Sequence, residues 1–231
     1  MPRSGGYLAL VTTTIMHPLE HLVHPNRKAF AADPFGYGAS GWHKWENTCL
    51  VAGVRKPMQT MPNDDDLKSP ILWLCHAEAL SQAAIHLVRT EPTFESMPVP
   101  VRGICDCQFI VAALMLVGYS LEVCLKGLII LTHGVEAYKK NEKAHRHHEL
   151  VKLAELIPGL TEKEKAILKT LTHFTTWAGR YPDPGTKYFS NAEEIFSLSE
   201  TYKITAGELF RLAARIMGAA KELVGGESRG S

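Results

Sequence analysis

The spacing of apolar residues divides the chain near residue 66. Residues 1–66 hold several prolines, a glycine-rich stretch and an acidic run, with no sustained period of either 2 or 3.6. From Ser69 to Val224 apolar residues recur with helical spacing, and no segment has a strong strand pattern or an internal repeat. The pattern predicts an all-α fold: an irregular N-terminal extension, an antiparallel bundle of four to five helices over 67–225, and a disordered tail over 226–231.

The second predicted helix is apolar on nearly all sides. The first helix is expected over about Pro70–Thr90, with Pro at its first position, and the second over about Asp106–His133, ending at Gly134. The uncharged run within the second helix, Phe109–Leu121, has 13 residues, fewer than the roughly 18 to 20 needed to cross a bilayer. We therefore expect a core helix enclosed by its neighbours, in a cytoplasmic protein with no membrane partner.

The C-terminal half contains the remaining predicted helices. Thr161 and Glu164 have the spacing of a capping box, which marks the start of one helix. The helices are expected over Leu150–Ile157, from Thr161 to about Trp177, briefly near Asn191 and Glu194, and over about Glu200–Val224.

Composition and charge exclude some classes of partner. The 231 residues are 45% apolar and 21% charged, with a formal net charge of +1. So small a net charge gives no global field toward nucleic acid or an anionic membrane, and such binding would need a local patch. The odd number of scattered cysteines favours a reducing compartment.

Two groups of residues resemble metal sites but lack ligands. Cys105 and Cys107 form a C-x-C with no second pair, which favours free thiols over zinc. His17, His21 and His24 would share one helical face, but neighbouring prolines disfavour a helix and no carboxylate or cysteine completes the set. We therefore expect neither a metal nor a cofactor.

The loop from Lys139 to His148, KKNEKAHRHH, is the local basic patch of the sequence. Its cations have two interpretations: a solvated loop, or a loop that faces phosphate groups. These cations are Lys139, Lys140, Lys143 and Arg146.

Glu122 and Lys126 interrupt the most apolar helix, with the acid four residues before the base. This is the favourable orientation for a helical ion pair, and Tyr119 adds a third polar group on the same face. One interpretation is an ion pair at the rim of the bundle with Lys126 extending outward. The other is a polar stripe that faces a cleft or a partner.

Three stretches together resemble the HEPN superfamily of small helical bundles. They are GYSLEVCLKGLIILTHG (118–134), HHELVKLAEL (147–156) and WAGRYPDPG (177–185), and the resemblance covers about residues 69–224. It implies a homodimer with a polar site near the dimer cleft. Many members are metal-independent ribonucleases of prokaryotic toxin–antitoxin, defence or RNA-processing systems; others bind nucleotides or RNA without catalysis, and a nucleotidyltransferase or an antitoxin is the partner class implied.

The chain departs from the nuclease members at their arginine–histidine motif. In these members four to six residues separate an arginine from a following histidine, and no arginine here has a histidine at that spacing. His173, seven residues upstream of Arg180, is one candidate to replace it, because both would lie on one side of a helix that extended that far and because imidazole titrates near neutral pH. His148, at the start of a short predicted helix, is the second candidate, with helix capping as its structural alternative.

Arg180 itself has two interpretations. A cation near a helix C-terminus complements the helix dipole, and Gly179 would end the helix without any functional demand. Alternatively, Arg180 and Tyr181, held between Trp177 and a Pro-Asp-Pro turn, contact a phosphate and stack on a base. The sequence thus predicts first a nucleotide-, RNA- or partner-binding module with Arg180, Tyr181, Glu122 and Lys126 near its cleft; the alternatives are a metal-independent ribonuclease with a rearranged site and a structural partner subunit.

Overall fold

The described part of the chain is helical and contains no strand, which confirms the predicted all-α class. The chain divides into two compact units, Met1–Pro62 and Asn63–Ser231. The computed structural model describes residues 25, 27–39, 41–51, 64–183, 185–186 and 189–227. The triad of His17, His21 and His24 and the predicted tail beyond Glu227 lie outside these residues.

The described part of the first unit holds three short helices. Each is shorter than four turns, which explains why the sequence has no sustained periodicity there. They are α1 (Arg27–Ala32), α2 (Pro34–Ala39) and α3 (Gly41–Val51).

The second unit is organised around one long helix. After α4 (Asp64–Leu67) come α5 (Pro70–Val88) and α6 (Arg102–His133). Helix α6 begins four residues earlier than predicted, where the Arg102 guanidinium donates to the carbonyls of Met97 and Glu95 and holds the preceding turn. It ends at Gly134, whose φ of 82° is a conformation that favours glycine.

Helices α5 and α6 pack antiparallel. The Ser120 hydroxyl near the middle of α6 donates to the carbonyl of Ala77 in α5 at 2.9 Å. Farther along α6, Gly127 lies against Trp73, which is earlier in α5. Contacts that come later along α6 therefore meet residues that come earlier along α5. The connection of residues 89–101 joins neighbouring ends of the two helices.

Six short or medium elements lie between α6 and residue 179. Helices α7 (Val135–Lys140) and α8 (Glu142–His145) replace the predicted loop, and the segment predicted as one helix over Leu150–Ile157 is instead a single α-turn followed by a 3₁₀ turn. The predicted capping box is confirmed, because Thr161 and Glu164 cap each other's backbone amides at the start of the next helix. The elements are α9 (Leu150–Leu153), the 3₁₀ turn Ala154–Leu156, α10 (Glu162–His173) and a π-turn, Phe174–Ala178.

The predicted last helix, about Glu200–Val224, is wrong at its start. Helices α11 (Phe189–Tyr202) and α12 (Ala206–Glu227) are separated at Lys203, which has a positive φ of 46°. A second capping box begins α12, since Thr205 and Glu208 bond each other's backbone amides. The Thr-x-x-Glu spacing was a readable signal for this boundary.

The core of the second unit is built mainly on α6. Its buried leucines pack against apolar side chains of α5, α9, α10 and α12, as expected for a helix that is apolar on nearly all sides. The largest fully buried side chains are Leu121, Leu125, Leu128, Ile130, Leu150, Leu153, Ile167, Leu168, Leu171 and Ile216.

Two described segments are long and apolar enough to cross a bilayer by length and composition alone, Asp65–Val88 and Val99–His133. In the second, 67% of the most apolar window is buried inside the protein. Core helices of soluble proteins meet the same length and composition test. The cytoplasmic location therefore stays a prediction.

Candidate functional site

The buried carboxylate of Glu122 contacts two other polar side chains, Lys126 and His148. Glu122 Oε1 accepts from Lys126 Nζ at 2.7 Å, and Glu122 Oε2 lies 2.8 Å from His148 Nδ1. Tyr119 and Arg180 adjoin this group, and we refer to Tyr119, Glu122, Lys126, His148 and Arg180 as the Tyr119 cluster. Three of its members lie on one face of α6, and the other two come from chain segments far apart in sequence.

In the ion pair of the Tyr119 cluster, Glu122 is buried and Lys126 is largely shielded from solvent. The side chain of Glu122 is 7% exposed and that of Lys126 12%, so the pair does not lie at a solvated rim. A carboxylate removed from water needs hydrogen bonds to both of its oxygens. Lys126 serves one oxygen and His148 the other, which explains why the charge is tolerated inside an apolar helix.

His148 connects this buried carboxylate to the surface. Its side chain is 42% exposed, and its ring meets the Tyr119 ring edge-on with centroids 6.2 Å apart. The Glu122 carboxylate can only accept, so Nδ1 must donate the hydrogen bond between them. The neutral ring then carries its proton on Nδ1, and Nε2 is an acceptor. The arrangement gives a partly exposed ring whose second nitrogen has no hydrogen-bond partner among the described residues, next to a buried carboxylate.

Arg180 completes the Tyr119 cluster through its contact with the tyrosine ring. Its guanidinium carbon is 5.4 Å from the centroid of the Tyr119 ring, a cation–π contact. The Tyr119 hydroxyl donates to the carbonyl of Thr175 in the π-turn at 3.2 Å. Arg180 is exposed, and no carboxylate of the described residues forms an ion pair with it. The next residue, Tyr181, is also exposed.

Two glycines allow the π-turn to approach α6 closely enough for these contacts. A Cβ added at Gly118 would lie 2.4 Å from Thr175 Cγ2, and one at Gly179 would lie 2.4 Å from Met115 Cβ. Both distances are too short for any real carbon pair. The glycine that the sequence marked as a helix end therefore also sets how near Arg180 comes to Tyr119.

His173 belongs to a different group. Its Nε2 lies 2.9 Å from Glu194 Oε2 in α11, and its Nδ1 accepts from Trp177 Nε1 at 3.4 Å. Glu194 also accepts from Lys169, and that hydrogen bond, more than the one from His173, holds the pKa of Glu194 below its usual value. We refer to Lys169, His173, Trp177 and Glu194 as the Glu194 cluster.

The basic stretch 139–148 forms two short helices whose cations are partly neutralised. Lys139 pairs with Glu136, and Arg146 with Glu142, whereas Lys140 and Lys143 have no ion pair among the described residues. Glu142 also pairs with Lys68 at 3.1 Å. The stretch therefore offers fewer free cations than its sequence indicates.

Two stacked rings, one next to the basic stretch and one within it, have shifted pKa values that favour their neutral forms. Tyr138 and His145 stack with centroids 5.2 Å apart. Burial raises the pKa of Tyr138 to about 12, and Glu142 adds to this shift. Burial also lowers the pKa of His145, with smaller contributions from positive neighbours that include Lys126. Both rings are therefore neutral at neutral pH.

Several residues of the site carried no recognised signal in the sequence. The Thr172 hydroxyl accepts from the Leu150 amide, two residues after His148, and the Thr175 carbonyl accepts from Tyr119. Glu194 contacts His173 from α11. The run Thr-Thr at 175–176 after a histidine was the local hint, because threonine hydroxyls compete for helical carbonyls. Within the described residues, no group of three or more His, Cys, Asp or Glu side chains is arranged to hold a metal ion.

No protein-family model, curated protein or solved structure matches this chain.

Proposed function

We propose that this chain is a HEPN-like, homodimeric module that binds a phosphate-containing ligand, a nucleotide or RNA, at the Tyr119 cluster. The observation that carries the proposal is Arg180, whose exposed guanidinium rests on an aromatic ring and has no ion pair with any residue that the structure describes. Arginine in this state is free to bind phosphate, and the exposed ring of Tyr181 beside it suits stacking on a base.

The test is a binding measurement with a matched arginine control. Fluorescence anisotropy with a labelled single-stranded RNA and with nucleotides, at two salt concentrations, measures the affinity and its electrostatic share. Arg180→Ala is expected to weaken binding about tenfold or more, as for a lost charged hydrogen bond. Arg211→Ala, which removes an exposed arginine of α12, is expected to change it less than about twofold. Equal weakening by both variants would contradict this site.

A second function, metal-independent RNA cleavage, is favoured by the contact of His148 with Glu122. In this reaction Nε2 of His148 takes the proton of a ribose 2′-hydroxyl, whose oxygen forms a bond to phosphorus. The bond from phosphorus to the 5′ oxygen breaks, and the proton passes from the imidazolium to that oxygen. Arg180 binds the phosphate, and the products are a 2′,3′-cyclic phosphate and a 5′-hydroxyl end.

RNA incubated with the protein in EDTA separates the two functions. Cleavage by the wild type, lost by at least about a hundredfold in both Arg180→Ala and His148→Gln, is the result expected of the ribonuclease. His173→Gln should leave cleavage unchanged, because both ring nitrogens of His173 are already engaged. RNA that is bound but stays intact supports the binding module alone.

A further inference from the structure

Thr172, two residues before the π-turn, uses its hydroxyl twice. Its Oγ1 donates to the carbonyl of Leu168 in its own helix at 3.0 Å. The same oxygen accepts from the backbone amide of Leu150, 22 residues earlier, at 3.1 Å. The second bond connects α10 to the first residue of α9.

The amide of Leu150 has no partner within its own segment. The first amides of a helix lack intrahelical acceptors and usually take one from the preceding side chain. Here Glu149 precedes the helix and makes no such bond, while Leu150 is fully buried. Thr172, in α10, therefore caps the start of α9. That start lies two residues after His148.

The backbone of Thr172 also serves the π-turn. Its carbonyl accepts from the hydroxyls of Thr175 and Thr176 at 2.9 and 2.8 Å. The carbonyl of Thr175 in turn accepts from Tyr119, which lies beneath Arg180. One residue thus connects the segment that carries His148 to the turn that carries Arg180.

We propose that Thr172 is a positioning residue that, by capping α9 through the Leu150 amide, fixes His148 against Glu122 in the tautomer protonated at Nδ1. Its value for a ligand rests on the proposed function, but its effect on His148 does not. Without the hydroxyl, the Leu150 amide is left buried and unpaired, and the two residues before α9 lose their tether. His148 then moves from the carboxylate and takes up the tautomer mixture of a solvated ring.

The experiment compares three variants by imidazole ¹⁵N spectra at about pH 8.5, where an ordinary imidazole is neutral. Thr172→Val removes the hydroxyl and keeps the shape, and Thr172→Ser retains the hydroxyl. Thr170→Val is the matched control, because the Thr170 hydroxyl bonds the carbonyl of Ala166 in its own helix. The resonances of His148 are assigned by their loss in His148→Gln.

The expected result is a predominantly Nδ1-protonated His148 in the wild type, in Thr172→Ser and in Thr170→Val, with a mixture only in Thr172→Val. Protection of the Leu150 amide from hydrogen exchange should fall about fivefold to tenfold in the same variant, as for one lost hydrogen bond. An unchanged tautomer in folded Thr172→Val would overturn the proposal. If that variant does not fold, an unprotected Leu150 amide in the wild type overturns it, and a protected amide with the expected tautomer in Thr172→Ser supports it.

Discussion

Two histidines of this protein each contact a glutamate at nearly the same distance, but their surroundings differ. His148 is 2.8 Å from Glu122, and His173 is 2.9 Å from Glu194. His148 is 42% exposed and bonds through one nitrogen to a buried carboxylate. His173 is 12% exposed, uses both nitrogens, and faces a carboxylate that is 35% exposed.

The difference assigns opposite roles to the two rings. A ring with both nitrogens engaged can neither take a proton nor bind a ligand without breaking its contacts, so His173 holds α11 to α10. His148 keeps one nitrogen for solvent or a ligand, while Glu122 fixes the other. A candidate site is therefore distinguished from a structural contact by two features: its carboxylate is buried, and its histidine keeps one nitrogen available. Proximity to Arg180 in the sequence does not distinguish them.

The largest predicted difference between the clusters is in stability. Glu122→Ala leaves Lys126, whose side chain is only 12% exposed, without its counter-charge and should lower the free energy of unfolding by about 3–5 kcal/mol. Glu194→Ala removes a carboxylate that is partly exposed and should cost less than about 1 kcal/mol. Urea denaturation followed by circular dichroism measures both.

The double variant Glu122→Ala with Lys126→Met controls for the stranded charge. If the cost of Glu122→Ala arises from unpaired Lys126, replacing that lysine by an apolar side chain of similar length should recover part of the stability. Equal costs for the two glutamate variants would contradict the contrast between a buried and an exposed carboxylate.

An intermediate difference is predicted for chemical reactivity. Diethyl pyrocarbonate acylates unprotonated, accessible imidazole nitrogens, so His148 should react at least about tenfold faster than His173 because only His148 offers one. Peptide mass spectrometry over time measures the two rates. Glu194→Ala, which frees one nitrogen of His173, should accelerate modification at His173 and leave His148 unchanged; faster modification of His173 in the wild type would refute the assignment of roles.

Most helices are predictable from local sequence patterns. The boundaries that differ from the prediction have identifiable physical causes. The apolar stripe and the proline located α5, and the Thr161 capping box located α10. The break before α12 was missed although Thr205 and Glu208 marked it, because apolar periodicity continued across the boundary. The π-turn has no signal in the spacing, since it depends on close packing against Gly118.

The Tyr119 cluster was predictable only as far as one helix extends. Glu122 and Lys126 are four residues apart, so their pairing follows from helical geometry. The contact of His148 with Glu122 joins residues 26 apart and depends on how α9 packs. Helical spacing grouped His173 with Arg180, but the π-turn changes the register between them, and Arg180 lies on Tyr119 instead.

The smallest predicted effect is the pH dependence that Glu194 adds. Its hydrogen bond to Lys169, with a further one to His173, lowers the pKa of Glu194 in the folded state. A lowered pKa contributes stability that is present above the unfolded value, near 4.3, and is lost as pH falls through the folded value. Since the carboxylate is partly solvent-exposed, the contribution is below about 1 kcal/mol, or at most about 4 °C in Tm. Wild type should therefore have a higher Tm than Glu194→Gln at pH 6, and this difference in Tm should be smaller at pH 3.

The two proteins share all other carboxylates, so the difference in Tm between them isolates the contribution of Glu194. A margin that stays constant over this range would mean that the charge of Glu194 does not hold α11 to α10, and that His173 is retained by its contact with Trp177 instead.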